Sequence, residues 1–109
     1  MKTNNFIYLI RSSDNTYKIG VSKNPQKRLK NLQTGNANKL ELVDRFECEQ
    51  SFKVEKALHR RYKIEKTESG NEWLHLKQEQ VNNFISDCEI ICENLSYVFK
   101  HNPFLNDKI

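Results

Sequence analysis

The chain has 109 residues, of which 37% are hydrophobic and 29% are charged. This length fits one compact domain and excludes a solenoid array or a large multi-domain enzyme. No apolar run is long enough to span a membrane, and the first residues lack the apolar stretch of a signal peptide. We therefore predict a single small domain with no membrane segment.

The three cysteines are Cys48, Cys88 and Cys92, and none lies in a Cys-x-x-Cys pair. Three cysteines cannot all pair with one another, so their number indicates a reducing compartment and an intracellular protein, cytoplasmic or nuclear. Cys88 and Cys92 are four residues apart on the apolar side of a predicted helix, where small core residues are expected.

The net charge of +4 is unevenly distributed. Residues 17–63 carry twelve basic and five acidic side chains, whereas residues 64–109 carry four and eight. A basic half suits a polyanionic partner, because contacts with phosphates release condensed counterions. The same imbalance is also typical of a merely well-solvated surface, so charge alone leaves both interpretations open.

The first predicted elements are a hairpin and a helix. Residues 6–10 and 17–21 are rich in β-forming residues and flank six polar residues with turn chemistry, which predicts two paired strands. Asn24 and Pro25 are typical of a helix N-cap and first helical position. Gly35 stands where a left-handed C-terminal cap is expected.

The second half predicts a strand followed by helices. Residues 39–48 alternate loosely and favour a third strand, and residues 50–62 have the spacing of a second helix. Residues 72–76 read as a short strand or an extended segment. Apolar residues recurring at three and four predict an amphipathic helix over residues 78–96, the strongest pattern in the chain.

These elements predict an α+β fold, with a small three-stranded, mainly antiparallel sheet flanked by helices and a long C-terminal amphipathic helix. Residues 1–96 form the predicted domain, and residues 97–109 form a tail that docks on the core, contacts a partner or frays.

Several side chains have the chemistry of a phosphate-processing site. Tyr8 and Tyr17 lie on the two strands of the predicted hairpin, although tyrosine also packs well on any sheet. Arg28, near the start of the first helix, is able to clamp a phosphate or to belong to a solvated basic surface. Glu55 and His59 are four apart on the second helix, as in a metal or substrate site or an exposed pair.

Taken in order, the motifs resemble the GIY-YIG endonuclease superfamily, and most closely its small branch of bacteriophage ORF-172-type and meiotically up-regulated gene 113-type DNA-binding domains. The resemblance spans residues 6–76. Its motifs are Phe6-Ile7-Tyr8, Tyr17-Lys18-Ile19-Gly20-Val21-Ser22, Asn24-Pro25 with Arg28-Leu29, Leu32-Gln33-Thr34-Gly35-Asn36, Glu55 with Leu58-His59, and Glu72-Trp73.

The resemblance implies a hydrolytic mechanism on DNA. Tyr8 is implied as the base toward the attacking water, Arg28 as the clamp on the scissile phosphate, and Glu55 as the ligand of one Mg²⁺ or Mn²⁺ ion. Tyr17 and His59 complete the implied catalytic pocket. The lysines implied to follow the DNA backbone are Lys18, Lys23, Lys27 and Lys30.

The chain departs from the superfamily pattern at two points. Phe6 replaces the glycine that usually begins the first motif, and Lys18 falls where the second motif usually has tyrosine. Because side chains alternate along a strand, Tyr17 and Lys18 point to opposite faces, and the sequence does not decide which one faces the pocket.

The prediction is therefore a metal-dependent GIY-YIG-type endonuclease that acts on DNA without an organic cofactor, in a phage, viral or mobile-element setting. The first alternative is a DNA-binding module that uses the same basic surface without cleavage. The second is a protein-interaction module that presents Trp73 and the aromatic tail to a partner.

Overall fold

A computed structural model of the chain describes residues 5–62 and 73–101, with the backbone alone for residues 99–101. Two strands, one helix and a third strand come first in the chain: β1 (Asn5–Ser12), β2 (Tyr17–Ser22), α1 (Pro25–Thr34) and β3 (Leu40–Cys48). Three helices follow: α2 (Ser51–Arg61), α3 (Gln78–Asn82) and α4 (Phe84–His101). The predicted α+β class is confirmed. Glu72, which the sequence places beside Trp73, lies outside the described residues.

The three strands form one antiparallel sheet in the order β2-β1-β3. The predicted hairpin is confirmed: Asp14 accepts hydrogen bonds from the amide and the hydroxyl of Thr16 in its turn, and Asn15 takes a left-handed φ of 66°. The hydrogen bonds from Thr16 lower the pKa of Asp14. Leu74 extends the sheet by a single bridge to Tyr17.

Both faces of the sheet are covered, so β1 is buried along most of its length. The α1 face is the side of the sheet that carries Tyr8 and Ile10, and Leu29 and Leu32 of α1 pack on it together with Trp73. The opposite face, called the α2 face, carries most of the core. Its buried residues include Ile7, Leu9, Tyr17, Ile19, Val54, Leu58, Phe84 and Ile91.

Helix α1 begins as predicted but ends differently. The Asn24 side chain accepts a hydrogen bond from the amide of Lys27, 3.1 Å away, and Pro25 opens the helix. Gly35 has φ −100°, so the predicted left-handed cap is wrong. The Gln33 side chain closes the connection instead: it donates to the carbonyl of Asn38 (2.8 Å) and accepts from the amide of Leu40 (2.7 Å).

In the structure, two helices, α3 and α4, take the place of the single helix predicted over residues 78–96. The break falls at Asn83, whose amide donates to the carbonyl of Glu79 and whose carbonyl accepts from the amide of Asp87. Asparagine suits such a junction because it is a good N-cap. Helix α4 then continues to His101, beyond the predicted end.

Two of the three cysteines are paired in the structure. A disulfide joins Cys48, at the end of β3, to Cys92 on α4, a pairing that the sequence did not predict. Cys88 is free and buried, as predicted, and burial raises its pKa to about 12, so it remains a protonated core thiol. The pairing removes the support that cysteine usage gave to a reducing compartment. Among the described residues, no helix combines the length and apolar character needed to cross a membrane.

A polar contact ties the end of α2 to α4. The Tyr62 hydroxyl donates a hydrogen bond to the Asp87 carboxylate, which also pairs with Arg61 at 3.1 Å. Burial, reinforced by the hydrogen bond to Asp87, raises the pKa of Tyr62 above its ordinary 10.0. The folded state therefore keeps this proton at a pH where the unfolded chain has lost it.

This contact predicts a pH dependence of stability. Because the folded pKa is raised, the contribution of Tyr62 is fully present below about pH 10 and is lost as the pH rises further. We expect Tyr62→Phe to cost about 1 kcal/mol at neutral pH, through the lost hydrogen bond. Between neutral pH and about pH 11, the variant should lose less stability than the wild type, measured as urea midpoints. Equal losses in the two proteins would contradict this assignment.

Candidate functional site

Tyr8 and Gly20 face each other across the β1–β2 ladder. A Cβ atom placed on Gly20 would lie 2.5 Å from Cζ of Tyr8 and still closer to its hydroxyl oxygen. The phenol ring therefore lies directly over Gly20, and its hydroxyl reaches across to the outer strand β2. Tyr8 is only 2% exposed, and its hydroxyl forms no hydrogen bond with a described residue. The absence of a side chain at Gly20 makes this placement possible.

A basic pocket lies beside the end of β2, at the N-terminus of α1. Its lining contains three cations and no carboxylate, and consists of Ser22, Lys23, Asn24, Lys27, Arg28 and Asn31. Lys27 and Arg28 are exposed, and neither forms an ion pair with a described residue. The free amides of a helix N-terminus, the partial positive charge there and a guanidinium together favour an anion such as phosphate.

His59 approaches the same strand from the α2 side. Its Nε2 atom donates a hydrogen bond to the carbonyl oxygen of Ile19, with the two atoms 3.1 Å apart. Ile19 immediately precedes Gly20, the residue under the Tyr8 ring. This bond orients the imidazole and, in the neutral ring, leaves Nδ1 as an acceptor.

Glu55 lies one helical turn before His59, on the same side of α2. The connection from β3 shows at which end of the sheet helix α2 begins. Helix α2 starts just after Cys48, which pairs with Asn5 at the end of the sheet where β2 also terminates. Helix α2 therefore begins at the same end of the sheet as the end of β2, and His59 brings it to the edge of that strand. Its carboxylate is partly exposed and forms no ion pair or hydrogen bond with a described residue.

The fit of a metal ion depends on Glu55. Within residues 5–62 and 73–101, no three His, Cys, Asp or Glu side chains come together as a metal-binding group. A preformed protein cage is thus not present in this part of the chain. Mg²⁺ commonly binds through one or two carboxylates plus waters and substrate phosphates, and the partly exposed carboxylate of Glu55, unpaired among the described residues, suits that mode.

The structure decides which of the two neighbouring β2 side chains shares the face of Tyr8. Lys18 does: it pairs with Ile10 on the α1 face, and its Nζ lies 5.9 Å from the centre of the Trp73 ring. Tyr17 points to the α2 face, where it is 6% exposed within the main core. The predicted catalytic residues Tyr8 and Tyr17 are therefore on opposite faces of the sheet.

The four lysines predicted to follow DNA also separate. Lys23 and Lys27 line the basic pocket, and Lys30 is exposed farther along α1. Lys18 is only 8% exposed and packs against Trp73, so it is not part of this surface. The sequence interpretation missed Asn31, which lies four residues after Lys27 and hence on the same side of α1.

Comparison with known proteins identifies the family. The model of the T5orf172 domain matches residues 5–89, a range that contains Tyr8, the basic pocket, Glu55 and His59. No curated protein and no solved structure gives a significant match. The matched range covers well over half of the 109 residues. The chain belongs to the T5orf172 family of nuclease-type and DNA-binding domains.

Proposed function

We propose that the protein is a metal-dependent endonuclease of the GIY-YIG type, which hydrolyses phosphodiester bonds in DNA at the outer edge of β2. One observation carries the proposal. The phenol of Tyr8, the basic pocket of Arg28 and the His59 side of α2 all meet this strand, within four residues of one another along it. A base, an anion clamp and a carboxylate are the groups that phosphodiester hydrolysis needs.

We assign each residue a role that its position supports. Arg28 and Lys27 bind the phosphate and offset the charge that develops on its oxygens. The phenolate form of Tyr8 accepts the proton of the attacking water. His59 holds a water or a phosphate oxygen through Nδ1.

Glu55 is the residue that would hold one Mg²⁺ or Mn²⁺ ion. The bound ion would neutralise the phosphate and stabilise the leaving oxygen. We assign no catalytic role to Tyr17, because its side chain is packed in the main core and its backbone is paired with that of Leu74. On the α1 face, which carries Tyr8, the cation on the neighbouring strand β2 is Lys18.

A second candidate function is DNA binding without cleavage. The observation that favours it is the near-complete burial of Tyr8, together with the absence of Tyr17 from the same face. Both functions use the same basic pocket, so both predict that DNA affinity falls steeply with salt. Only the endonuclease would produce cleaved DNA.

The deciding experiment is incubation of the purified protein with supercoiled plasmid and with branched DNA, in Mg²⁺, in Mn²⁺ and in EDTA. We expect nicked or linear product with metal and none with EDTA. In parallel, a salt titration of DNA affinity should have a slope of about −0.9 for each phosphate contact. Salt-dependent binding with no product in any condition would favour the binding module, and no binding to any DNA would contradict both functions.

A further inference from the structure

Phe52 is an aromatic side chain that the proposed site does not use. It lies in the first turn of α2 and is 61% exposed. This exposure leaves an aromatic face open to a ligand that can stack on it.

Two cations accompany this ring along the helix. Lys56 and Arg60 follow Phe52 at intervals of four, so the three side chains form one exposed row, which we call the Phe52 row. Neither cation forms an ion pair with a described residue. Helix α2 has no acidic residue in its first turn.

The Phe52 row is continuous with the proposed site. His59 is seven residues after Phe52, nearly two helical turns, and therefore lies beside the row rather than behind the helix. Its ring bonds the carbonyl of Ile19 on β2. The Phe52 row therefore lies next to the strand around which the proposed site is built.

An aromatic ring flanked by cations suits unpaired nucleobases. Bases stack on exposed aromatic side chains whatever their identity, while lysine and arginine contact the adjoining phosphates. A paired base in a duplex keeps its faces covered by its neighbours and offers no such surface. Self-association through this row would bring the cations of two copies together, which disfavours a second copy as the occupant.

We propose that the Phe52 row binds single-stranded DNA next to the cleavage position, with a base stacked on Phe52 and the backbone held by Lys56 and Arg60. The inference rests on the proposed function and adds a substrate class to it: DNA with an unpaired segment beside the scissile bond.

The test compares Phe52→Ala with the wild type on two labelled probes, an oligothymidine single strand and a blunt hairpin duplex. Loss of one stacked base should weaken binding of the single strand by about tenfold. Affinity for the duplex should change by less than about twofold, since phosphate contacts dominate there. Phe52→Trp should restore single-strand affinity, because it preserves an aromatic surface. Tyr97→Ala, which removes a 64% exposed ring from α4, is the matched control and should bind both probes normally.

The outcomes separate this inference from the proposed function. If Phe52→Ala binds the single strand as tightly as the wild type, the stacking role is wrong while the nuclease proposal stands. If the wild type binds neither probe, both are wrong. If Phe52→Ala changes only the oligomeric state, measured by size-exclusion chromatography with light scattering, the row is a self-association surface and the inference is overturned.

Discussion

Gly20→Ala is expected to disable the proposed site and to destabilise the fold. The added methyl group would lie 2.5 Å from Cζ of Tyr8 and closer to its hydroxyl oxygen, well inside van der Waals contact. Because Tyr8 is packed among Ile10, Leu29 and Trp73, its ring has little room to move. Overpacking of this kind costs about 1–3 kcal/mol. We expect a lower urea midpoint and a loss of most DNA cleavage.

Gly35→Ala is the matched control for this substitution. Apart from Gly35 and its chain neighbours, no atom of the described residues lies within 4 Å of a Cβ atom placed there, and the φ of −100° suits any residue. Replacement of such a glycine leaves stability unchanged or raises it by up to about 1 kcal/mol, because the unfolded chain loses freedom. Cleavage should be unaffected.

A double-mutant cycle would show that the cause is the Tyr8 ring. Tyr8→Ala removes the atoms with which the new methyl group collides. Gly20→Ala should therefore cost less stability in the Tyr8→Ala background than in the wild type, by about 1 kcal/mol or more. Equal costs in the two backgrounds, or a fully stable Gly20→Ala protein, would contradict the placement of the ring over Gly20.

The regular elements could be predicted because their signals are local. Turn residues between two β-rich runs specified the hairpin, and Asn24-Pro25 marked the start of α1. The end of α1 could not be predicted in the same way. There the long-range bonds of the Gln33 side chain replace the glycine cap, and a sequence does not show which carbonyls a glutamine reaches.

The structure of β3 explains why apolar and polar residues alternate only loosely in its sequence. Leu40 and Leu42 pack on the α1 face, whereas Phe46 packs on the α2 face, although all three have even numbers. The register shifts opposite Leu9 and Ile10, and one extra residue there reverses the facing of the strand. The position of a bulge depends on pairing with the neighbouring strand. The sequence of β3 alone therefore shows that the alternation is irregular but not where the bulge lies.

The positions of the predicted site residues differ in how far the sequence determined them. Tyr8 and the Arg28 pocket lie at β2, and His59 contacts the same strand. The facing of Tyr17 and Lys18 required the strand register, in which Gly20 lies opposite Tyr8. Because a one-residue change in register exchanges the two faces, that choice was beyond the sequence alone.

Glu55→Ala is expected to remove cleavage while retaining DNA binding. Without the carboxylate, the proposed ion loses its only assigned protein ligand, and loss of metal stabilisation costs several kcal/mol, a hundredfold or more in rate. Binding should persist or strengthen, since the variant removes a negative charge from a protein proposed to bind a polyanion. The side chain is partly exposed and unpaired among the described residues, so the fold should tolerate the change. Glu89→Ala removes an exposed carboxylate from α4 as the matched control.

The most direct test of the central claim is the initial rate at which the wild type and Glu55→Ala nick supercoiled plasmid in Mg²⁺, with affinity for the same DNA measured alongside. A nuclease site at the edge of β2 predicts metal-dependent nicking by the wild type and by Glu89→Ala. For Glu55→Ala it predicts a rate lower by about a hundredfold or more at comparable affinity. Nicking by Glu55→Ala at the wild-type rate would contradict the account.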